Sequence, residues 1–409
     1  MRIALFSDHF YPEIGGIQDS VACLGRELNK RGHQLNFFVA QWSEKDFAKA
    51  KLPVKEIYLG NNVKITRFFS LPVKSPTQQS RLVIPNFLRW LAVKKFKPDI
   101  IHSHTFFGLG LEAAAAARIL KVPLVGTNHW VITEFNGYSP VAAKAFARLS
   151  LKAVIWYYNH CDFVTAPSRT VLDEMAANGF VKPHQVVSNQ IDLEIFKPDA
   201  NLDIKKIKAE FGVSPATVAC AGRLGQEKNI DVVIRAVALV KQRLPNVRLA
   251  IAGHGSAESG LRKLANELRL EENVKFLGTL TQAGLARLYR ASEIFTIAST
   301  SESQSMVLLQ AMACGLPVIG ANWRALPEYI NKQNGFLFKP YDHRELAEKI
   351  VYLLEHAEAR KSLGRGGLEF VQSFSASEIG KKWEEIYERV IEDKDVGRLG
   401  DVRRPAKNN

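Results

Sequence analysis

With 409 residues, the chain is longer than one compact core normally allows, and its length predicts two domains of roughly 150–200 residues each. Hydrophobic residues make up 46% of the sequence and charged residues 23%, as in ordinary globular proteins. No apolar run reaches the ~18 residues of a membrane span, and the short run after Met1 predicts a strand rather than a signal peptide. The four cysteines lack disulfide or metal-site spacing, so we expect a reducing, cytoplasmic environment.

Positive charge is concentrated in one part of the sequence. Residues 51–152 contain 15 Lys and Arg against 4 Asp and Glu, so this region carries +11 of the formal net charge of +14. Such a concentration favours a polyanionic partner, which is an anionic membrane, a phosphorylated substrate or nucleic acid. Because the sequence has no zinc-finger spacing and no RNA-binding signature, we do not expect a nucleic-acid partner.

In the first half, short apolar runs rich in β-branched residues alternate with longer helical patterns, which predicts a parallel α/β sheet. The predicted strands are 2–7, 34–40, 63–68, 99–102, 122–127, 162–166 and 185–188. The predicted helices are 17–30, 85–95, 108–120, 140–159 and 169–178.

The pattern lapses over residues 191–215 and then begins again. The second series of predicted strands is 217–221, 247–252, 274–277, 294–297 and 317–320. The second series of predicted helices is 230–243, 257–268, 283–291, 303–313 and 344–355. The sequence therefore predicts two Rossmann-like doubly wound domains, 1–195 and 196–375.

A last helix is predicted at 376–392, after the second sheet is complete. The tail at 395–409 is rich in charge and is predicted to be disordered. Asp393-Lys394-Asp395 is the only Asp-x-Asp of the sequence, and its position beside this tail favours solvated charges over a metal-binding motif.

Ligands of open parallel sheets bind beyond the carboxyl ends of the strands. The first strand of the second domain is followed by a loop that contains Gly222, Arg223 and Lys228. Its glycines permit a sharp turn, and its two cations suit a diphosphate, which a guanidinium can grip with a planar fork. The alternative is a solvated loop with ordinary surface cations.

A second candidate lies at 299–307, between a strand and a helix. The free N–H groups and the dipole of a helix N-terminus form an anion site, and Glu302 there suits the hydroxyls of a sugar. The alternative is a capping box of Ser301 and Gln304, with Glu302 only complementing the helix dipole. Local sequence leaves both interpretations open.

The third candidate is the edge of the first domain. Gly15-Gly16 follows the first strand, where bare backbone could approach a ligand. His129 follows another strand, and a histidine there is a candidate hydrogen-bond partner or acid–base group. His102 and His104 share a strand face, but no compact carboxylate or cysteine cluster accompanies them, so we do not predict a metal site.

With these motifs, the chain resembles glycosyltransferase family 4, whose members are retaining enzymes of GT-B architecture. The resemblance runs from the first strand through Gly15-Gly16 to the end of the second domain. Its most specific part is 301–319, SESQSMVLLQAMACGLPVI, and the loop from Gly222 to Lys228 is nearly as specific. It implies two doubly wound domains that face each other across a cleft, with the last helix crossing back onto the first.

The resemblance also implies roles for individual residues. Arg223 and Lys228 would hold the donor diphosphate and stabilise the departing nucleotide, and Glu302 would bind hydroxyls of the donor sugar. The remaining implied donor contacts are the backbone of Ser305, Met306 and Val307, with His129 near the reacting sugar and Gly16 lining the pocket. The family has a second glutamate eight residues after the first, but this sequence has Gln310 there, which is neutral and puts donor affinity or nucleotide choice in question.

The expected reaction is hexose transfer from a nucleotide diphosphate sugar to an acceptor hydroxyl. The resemblance implies retention of anomeric configuration. The cations and the helix N-terminus are expected to neutralise the leaving group, so no metal or other cofactor is expected. A non-catalytic nucleotide-sugar-binding protein is an alternative, although the retention of Arg223, Lys228 and Glu302 disfavours it.

The sequence gives two alternatives for the acceptor substrate. The predicted helix 140–159 carries Lys144, Arg148 and Lys152 at four-residue spacing, and 85–95 also mixes basic with aromatic residues. Such helices suit an anionic bilayer, although ordinary helices with one packed face show similar patterns. Membrane association predicts peripheral binding to the inner face of the cell membrane. It would imply a lipid acceptor such as diacylglycerol or a phosphatidyl lipid, as in the lipid-glycosylating family members, such as diacylglycerol glucosyltransferases, that this chain resembles. The alternative is a soluble enzyme that acts on a sugar or sugar phosphate.

Overall fold

The computed structural model describes residues 1–13, 15–49, 54–73, 81–130, 142–213 and 216–402, with no side chain described at 46, 49, 142–148 or 398–402. The chain divides into two compact units. The first comprises Met1–Gln190 and Ala376–Asn409, and the second comprises Ile191–Ser375. No helix of the described ranges combines the length and the apolar composition needed to cross a bilayer.

The first unit is an α/β structure. Its strands within the described residues are β1 Arg2–Ser7, β2 Gln34–Ala40, β3 Val63–Phe68, β4 Leu71–Pro72, β5 Arg81–Leu82, β6 Ile100–Ser103, β7 Leu124–Thr127, β8 Phe163–Ala166 and β9 His184–Val186. Its helices before the second unit are α1 Gly16–Lys30, α2 Glu44–Lys49, α3 Trp90–Phe96, α4 Gly108–Leu120, α5 Ala142–Tyr158 and α6 Arg169–Ala177.

Seven of these strands form one parallel sheet in the order β3-β2-β1-β6-β7-β8-β9. The strand order reverses direction between β1 and β6, so the loops after these two strands diverge and leave a crevice between them. The central strands are buried on both faces, as the continuous apolar runs of the sequence predicted. Strands β4 and β5 form a separate antiparallel hairpin that the sequence did not predict.

The second unit repeats this architecture. Its strands are β10 Thr217–Ala221, β11 Arg248–Ala252, β12 Val274–Gly278, β13 Ile294–Ile297, β14 Val318–Ala321 and β15 Gly335–Phe338. Its helices are α7 Ile204–Phe211, α8 Ile230–Arg243, α9 Glu258–Glu267, α10 Gln282–Arg290, α11 Met306–Ala313, α12 Leu326–Tyr329, α13 His343–Glu355 and α14 Ala357–Val371.

All six strands of the second sheet are parallel, in the order β12-β11-β10-β13-β14-β15. The prediction of two Rossmann-like, doubly wound sheets is therefore confirmed. The order reverses between β10 and β13, and the two loops that follow these strands contain the first two candidate motifs. Helix α7 lies where the sequence pattern lapsed, and its N-cap Asp203 accepts a hydrogen bond from the Lys206 amide.

The last helix, α15 Ala376–Val402, belongs to the first unit. Its buried residues recur every three or four positions and join the core beneath β1 and α1; they are Ile379, Trp383, Ile386, Tyr387 and Val390. The helix extends well beyond the predicted end at 392, so the prediction of a disordered tail is wrong for 395–402. Lys394 contributes to this extension, because its Nζ lies 2.6 Å from Asp162 Oδ1. Residues 403–409 lie outside the described residues.

Helix α3 begins at Trp90 and not at residue 85 as predicted. The reason is a buried carboxylate on α4. Glu112 Oε1 accepts hydrogen bonds from the backbone N–H groups of Asn86 at 2.7 Å and of Phe87 at 3.0 Å. It also lies 2.8 Å from Arg89 Nη1, so the segment before α3 is held as a loop by contacts distant in sequence.

Candidate functional site

Glycines form the rim of the second sheet at the point where the strand order reverses. Gly222 follows β10 with φ 138°, and Gly253 follows β11 with φ 143°. A Cβ atom at Gly253 would lie 1.8 Å from the carbonyl oxygen of Gly222. These two loops thus pack backbone against backbone, which requires glycine and leaves the rim open to a ligand.

The structure joins the first two candidate motifs. The side-chain amide of Asn229 donates to the carbonyl oxygen of Ala298 at 3.2 Å and to Thr300 Oγ1 at 3.1 Å. The Thr300 N–H in turn donates to the carbonyl oxygen of Glu227 at 3.1 Å. The loop after β10 and the loop after β13 therefore form one connected edge, although they are about seventy residues apart in sequence.

Lys228 and Glu302 form an ion pair at this edge. Lys228 Nζ lies 2.7 Å from Glu302 Oε1, and their side chains are only 21% and 9% exposed. Arg223 Nη2 lies 2.6 Å from Glu227 Oε1, and its side chain is 38% exposed. Two cations and a largely enclosed carboxylate, Glu302, thus share the rim, an arrangement able to bind an anion together with a hydroxyl-rich group.

Helix α11 begins beside this pair. Its first residue is Met306 and its N-cap is Ser305, so the helix starts three residues later than predicted. Ser301 and Gln304 precede the helix and do not have the capping-box positions that local sequence allowed. Ser305 Oγ is buried and has no hydrogen-bond partner among the described residues. The N–H groups of the first turn and this hydroxyl fit an anionic ligand.

Gln310 lies in the second turn of α11 and is buried. Of the remaining site predictions, Gly16 and His129 belong to the first unit. Gly16 is the first residue of α1, in the crevice region after β1, and His129 follows β7. The proposed donor contacts of Arg223, Lys228, Glu302, Ser305 and the α11 amides all lie in the second unit.

Three histidines of the first unit form a buried cluster. His104 Nδ1 lies 3.0 Å from His129 Nε2. His102 Nδ1 lies 2.7 Å from the Tyr387 hydroxyl, and its Nε2 lies 2.7 Å from Thr127 Oγ1. The rings of His102 and His104 are 4.0 Å apart.

The cluster disfavours positive charge. Burial, together with a smaller effect of the nearby His9, lowers the pKa of His129 to about 3. Burial also lowers the pKa of His102 and of His104 well below the usual value; His129 adds to the effect at both, and His102 adds to it at His104. These side chains are therefore neutral near pH 7 and act as hydrogen-bonding groups rather than as cations.

Sequence reasoning missed several groups around this cluster. Asp8 accepts hydrogen bonds from Thr105 Oγ1 at 2.7 Å and from the Leu109 N–H at 3.1 Å, and burial raises its pKa despite these bonds. An acid directly after β1 is a sequence signal that would have identified it. Tyr387 carried no such signal, because its contact with His102 spans 285 positions.

Comparison with known proteins agrees with this architecture. Residues 14–195 match the family model described as Glycosyltransferase Family 4, and residues 203–370 match the one described as Glycosyl transferases group 1. The chain is 30% identical over 397 residues to an alpha-monoglucosyldiacylglycerol synthase of Streptococcus pneumoniae, covering 95% of this chain and 85% of that protein. It is 23% identical over 406 residues to the Acholeplasma laidlawii protein of the same name, covering 96% and 98%. The solved structure of Anabaena HepE in complex with UDP-glucose matches with a TM-score of 0.76 at 21% identity, covering 95% of this chain and all of that chain.

Two parallel, doubly wound sheets, matched along nearly the whole chain by such structures, define the GT-B class. The chain belongs to glycosyltransferase family 4, and it is a glycosyltransferase. The resemblance identified from the 301–319 motif is confirmed.

Proposed function

We propose that this enzyme transfers a hexose from a nucleotide diphosphate sugar to the hydroxyl of a membrane lipid, with retention and without a metal. The donor is a nucleotide sugar, and its diphosphate binds at the rim of the second sheet. The observation that carries the proposal is the Lys228–Glu302 pair beside the open N-terminus of α11. At this strand-order reversal, a cation and a helix N-terminus suit the diphosphate of such a donor, and a carboxylate suits the hydroxyls of its sugar.

The proposed binding mode exchanges one ion pair for another. As the diphosphate enters, Lys228 Nζ turns from Glu302 to a phosphate oxygen, while the Ser305 hydroxyl and the α11 amides donate to a second one. Glu302 then has both oxygens available to accept hydrogen bonds from sugar hydroxyls. Arg223 is partly exposed at the entrance and adds a second cation to the diphosphate.

These groups also explain the proposed chemistry. Cleavage of the anomeric bond loads negative charge onto the leaving diphosphate. Fixed cations and helix amides stabilise that charge more in the transition state than in the ground state, so they accelerate the reaction. We therefore propose that this chain needs no divalent metal, and that the acceptor hydroxyl attacks from the face of the leaving phosphate, which assists its deprotonation. We assign no enzyme nucleophile.

An exposed apolar surface on the first unit supports a lipid acceptor. Several large hydrophobic side chains around the β4–β5 hairpin and the start of α3 face solvent; they are Phe69, Leu71, Val73, Leu82, Ile84, Phe87, Leu88 and Leu91. Lys94, Lys95 and Lys97 follow and are exposed. Apolar residues flanked by exposed cations suit insertion into an anionic bilayer, whereas water-soluble surfaces rarely group so many.

The part of this surface that contains Phe87 and Leu88 is fixed by a buried carboxylate. The carboxylate of Glu112 binds the amides of Asn86 and Phe87, and Phe87 has φ 56°, a left-handed conformation rare for a bulky residue. The side chains of Phe87 and Leu88 are 54% and 64% exposed. A loop fixed in a strained conformation with its apolar side chains outward favours a docking role over random exposure. On α5, the side chains of Lys144 and Arg148 lie outside the described residues.

Flotation with vesicles tests whether the exposed apolar surface binds a lipid bilayer. In a Phe87→Ser/Leu88→Ser variant, we expect binding to vesicles containing anionic lipid to fall at least about tenfold, because moving each side chain from water into hydrocarbon is worth about 1.5–3 kcal/mol. The matched control is Trp323→Ser/Tyr341→Ser, which removes two exposed aromatic residues of the second unit. If the two variants bound the vesicles equally well at low salt, the proposed membrane binding through this surface would be wrong. The assignment as a glycosyltransferase would not be affected.

A product assay tests the whole proposal. The enzyme is incubated in EDTA with UDP-, GDP- or ADP-hexose and with diacylglycerol or phosphatidyl lipid vesicles. We expect a glycolipid with the anomeric configuration of the donor, measured by NMR. Transfer only to a soluble sugar or sugar phosphate would favour the alternative acceptor class. The absence of both transfer and donor hydrolysis with all three nucleotide sugars would contradict the proposal.

A further inference from the structure

The carboxylate of Glu227 occupies a space that a glycine leaves open in the loop after β10. Gly225 has φ −102° and ψ 162°, an extended conformation that any residue adopts, so its backbone does not require glycine. A Cβ atom at this position would lie 2.4 Å from both carboxylate oxygens of Glu227. The missing side chain thus makes room for the Glu227 side chain, which is only 13% exposed.

The backbone of Glu227 is also fixed. Its carbonyl oxygen accepts hydrogen bonds from the Thr300 N–H at 3.1 Å and from the side-chain amide of Asn229 at 3.3 Å. Thr300 belongs to the loop after β13, so Glu227 is anchored to both loops of the rim. The carboxylate therefore has a fixed position there.

Arg223 is the more accessible member of its ion pair with Glu227. Its side chain is 38% exposed, and its Nη2 lies 2.6 Å from Glu227 Oε1. Because a partly exposed ion pair contributes little to stability, the arginine can turn toward an anionic ligand at small cost. The enclosed carboxylate stays in place when it does so.

The two ion pairs make the charged side chains of the rim neutral as a set. Arg223 and Lys228 carry two positive charges, and Glu227 and Glu302 carry two negative ones. In the proposed function Glu302 binds sugar hydroxyls, but Glu227 has no role. A carboxylate beside a phosphate-binding arginine weakens the attraction for a diphosphate, since like charges repel. This effect is useful after transfer, because the released nucleoside diphosphate carries more negative charge than the diphosphate of the donor.

We propose that Glu227 is an internal counter-ion, which competes with the diphosphate for Arg223 and speeds the release of the nucleoside diphosphate. When the donor binds, the guanidinium turns from Glu227 to a phosphate oxygen. After the sugar has been transferred, the carboxylate, which has kept its position against Gly225, takes the guanidinium back. This inference rests on the proposed function, in which Arg223 binds the diphosphate, and it involves only the second unit.

Removal of the charge tests the competition without changing the shape of the side chain. Calorimetric titration measures the affinity of wild type and of Glu227→Gln for UDP, GDP and ADP in EDTA. We expect Glu227→Gln to bind the nucleotide preferred by wild type about two- to fivefold more tightly, the scale of a partly exposed ion pair. The control Glu355→Gln removes a carboxylate from another arginine ion pair of the same unit and should leave the affinity unchanged.

Gly225→Ala tests the position of the carboxylate while keeping its charge. The new Cβ would displace the carboxylate, and the extended backbone of residue 225 accommodates alanine. We expect this variant also to bind the nucleotide more tightly than wild type. The control Gly260→Ala adds a methyl group in open space and should not change the affinity. Weaker binding in both Glu227→Gln and Gly225→Ala would show that Glu227 orients Arg223 for the donor, and would overturn the inference.

A double-mutant cycle shows whether Glu227 acts through Arg223. In an Arg223→Ala background, we expect most of the gain from Glu227→Gln to disappear, since the carboxylate then has no arginine to hold. In the Arg223 enzyme, stopped flow with a fluorescent analogue of the same nucleotide should show that Glu227→Gln dissociates more slowly, by the same factor as the change in Kd. An undiminished gain in the Arg223→Ala background, or a gain that comes only from faster association, would overturn the inference.

The same titrations distinguish this inference from the proposed function. If wild type bound no nucleoside diphosphate, the proposed function would fail and the counter-ion role with it. If wild type bound one and Glu227→Gln bound it equally well, only the counter-ion role would fail. The assignment of Arg223 to the diphosphate would then be unaffected.

Discussion

At the scale of single residues, the donor rim depends on cations that already have carboxylate partners. Lys228 is mostly enclosed and bound to Glu302, and Arg223 is bound to Glu227. A lysine in this environment is oriented before the donor arrives, so little side-chain entropy is lost on binding. The cation therefore already lies at the rim when charge develops on the leaving group.

We predict that Arg223→Ala or Lys228→Ala lowers kcat roughly 10²–10³-fold, the scale of losing one transition-state donor. Steady-state kinetics with the preferred nucleotide sugar measures it. Matched controls are Arg243→Ala and Lys361→Ala, which remove cations of surface ion pairs in the same unit. Surface pairs contribute about 0–1 kcal/mol, so the controls should keep wild-type turnover. Near-wild-type turnover in both rim variants would refute the assigned roles.

At the scale of elements, the site depends on loops whose backbones touch. The loop after β10 lies against Gly253 after β11, and its far end is bonded to the loop after β13. A change at one contact should therefore displace the cations.

We predict that Gly253→Ala destabilises the second unit by at least roughly 1–3 kcal/mol, because it places a side chain at a positive φ and against the Gly222 carbonyl. The matched control is Gly260→Ala in α9, where a Cβ meets open space and replaces a helical glycine. That change should stabilise by up to about 1 kcal/mol. Thermal unfolding of both variants measures the difference, and equal midpoints would contradict the close approach.

The helices and strands also show how much of the structure the sequence predicts. Short, continuous apolar runs between helical patterns predicted most strands of both sheets, because a strand that is buried on both faces is apolar along its whole length. The sequence did not predict β15 or the β4–β5 hairpin. The start of α11 was placed three residues early, because Ser301 and Gln304 imitate a capping box. The loop before α3 was read as helix, since the Glu112 contact that holds it is distant in sequence. The pairing of Lys228 with Glu302 likewise became visible only once the chain was folded.

At the scale of the whole molecule, three buried neutral histidines make the first unit sensitive to acid. Their folded-state pKa values lie below the ordinary value of 6.5, with that of His129 at about 3. The unfolded chain therefore binds more protons than the folded one once the pH falls below 6.5. Their contribution to stability is complete above that pH and is lost as the pH falls from 6.5 toward 3.

We predict that the free energy of unfolding of the first unit falls steeply from pH 6.5 to pH 5, by up to about 1.4 kcal/mol per pH unit for each histidine. Urea titration measures this as a fall in the unfolding midpoint. The raised pKa values of Asp8 and His9 oppose this slope in part. For His9, the hydrogen bond and charge of Glu13 outweigh burial. His104→Asn should reduce the slope, and the exposed His356→Asn should not. A midpoint independent of pH over this range would contradict the buried cluster.

The central claim is that the second sheet's rim binds a pyrophosphate through Arg223, Lys228 and the N-terminus of α11. Calorimetric titration of UDP, GDP and ADP into wild type and an Arg223→Ala/Lys228→Ala variant, both in EDTA, tests it most directly. We predict metal-free binding of at least one nucleotide to wild type and a loss of at least about 100-fold in the variant, which is roughly 2.8 kcal/mol. Equal affinity of the two proteins, or binding that appears only when a divalent metal is added, would contradict the account.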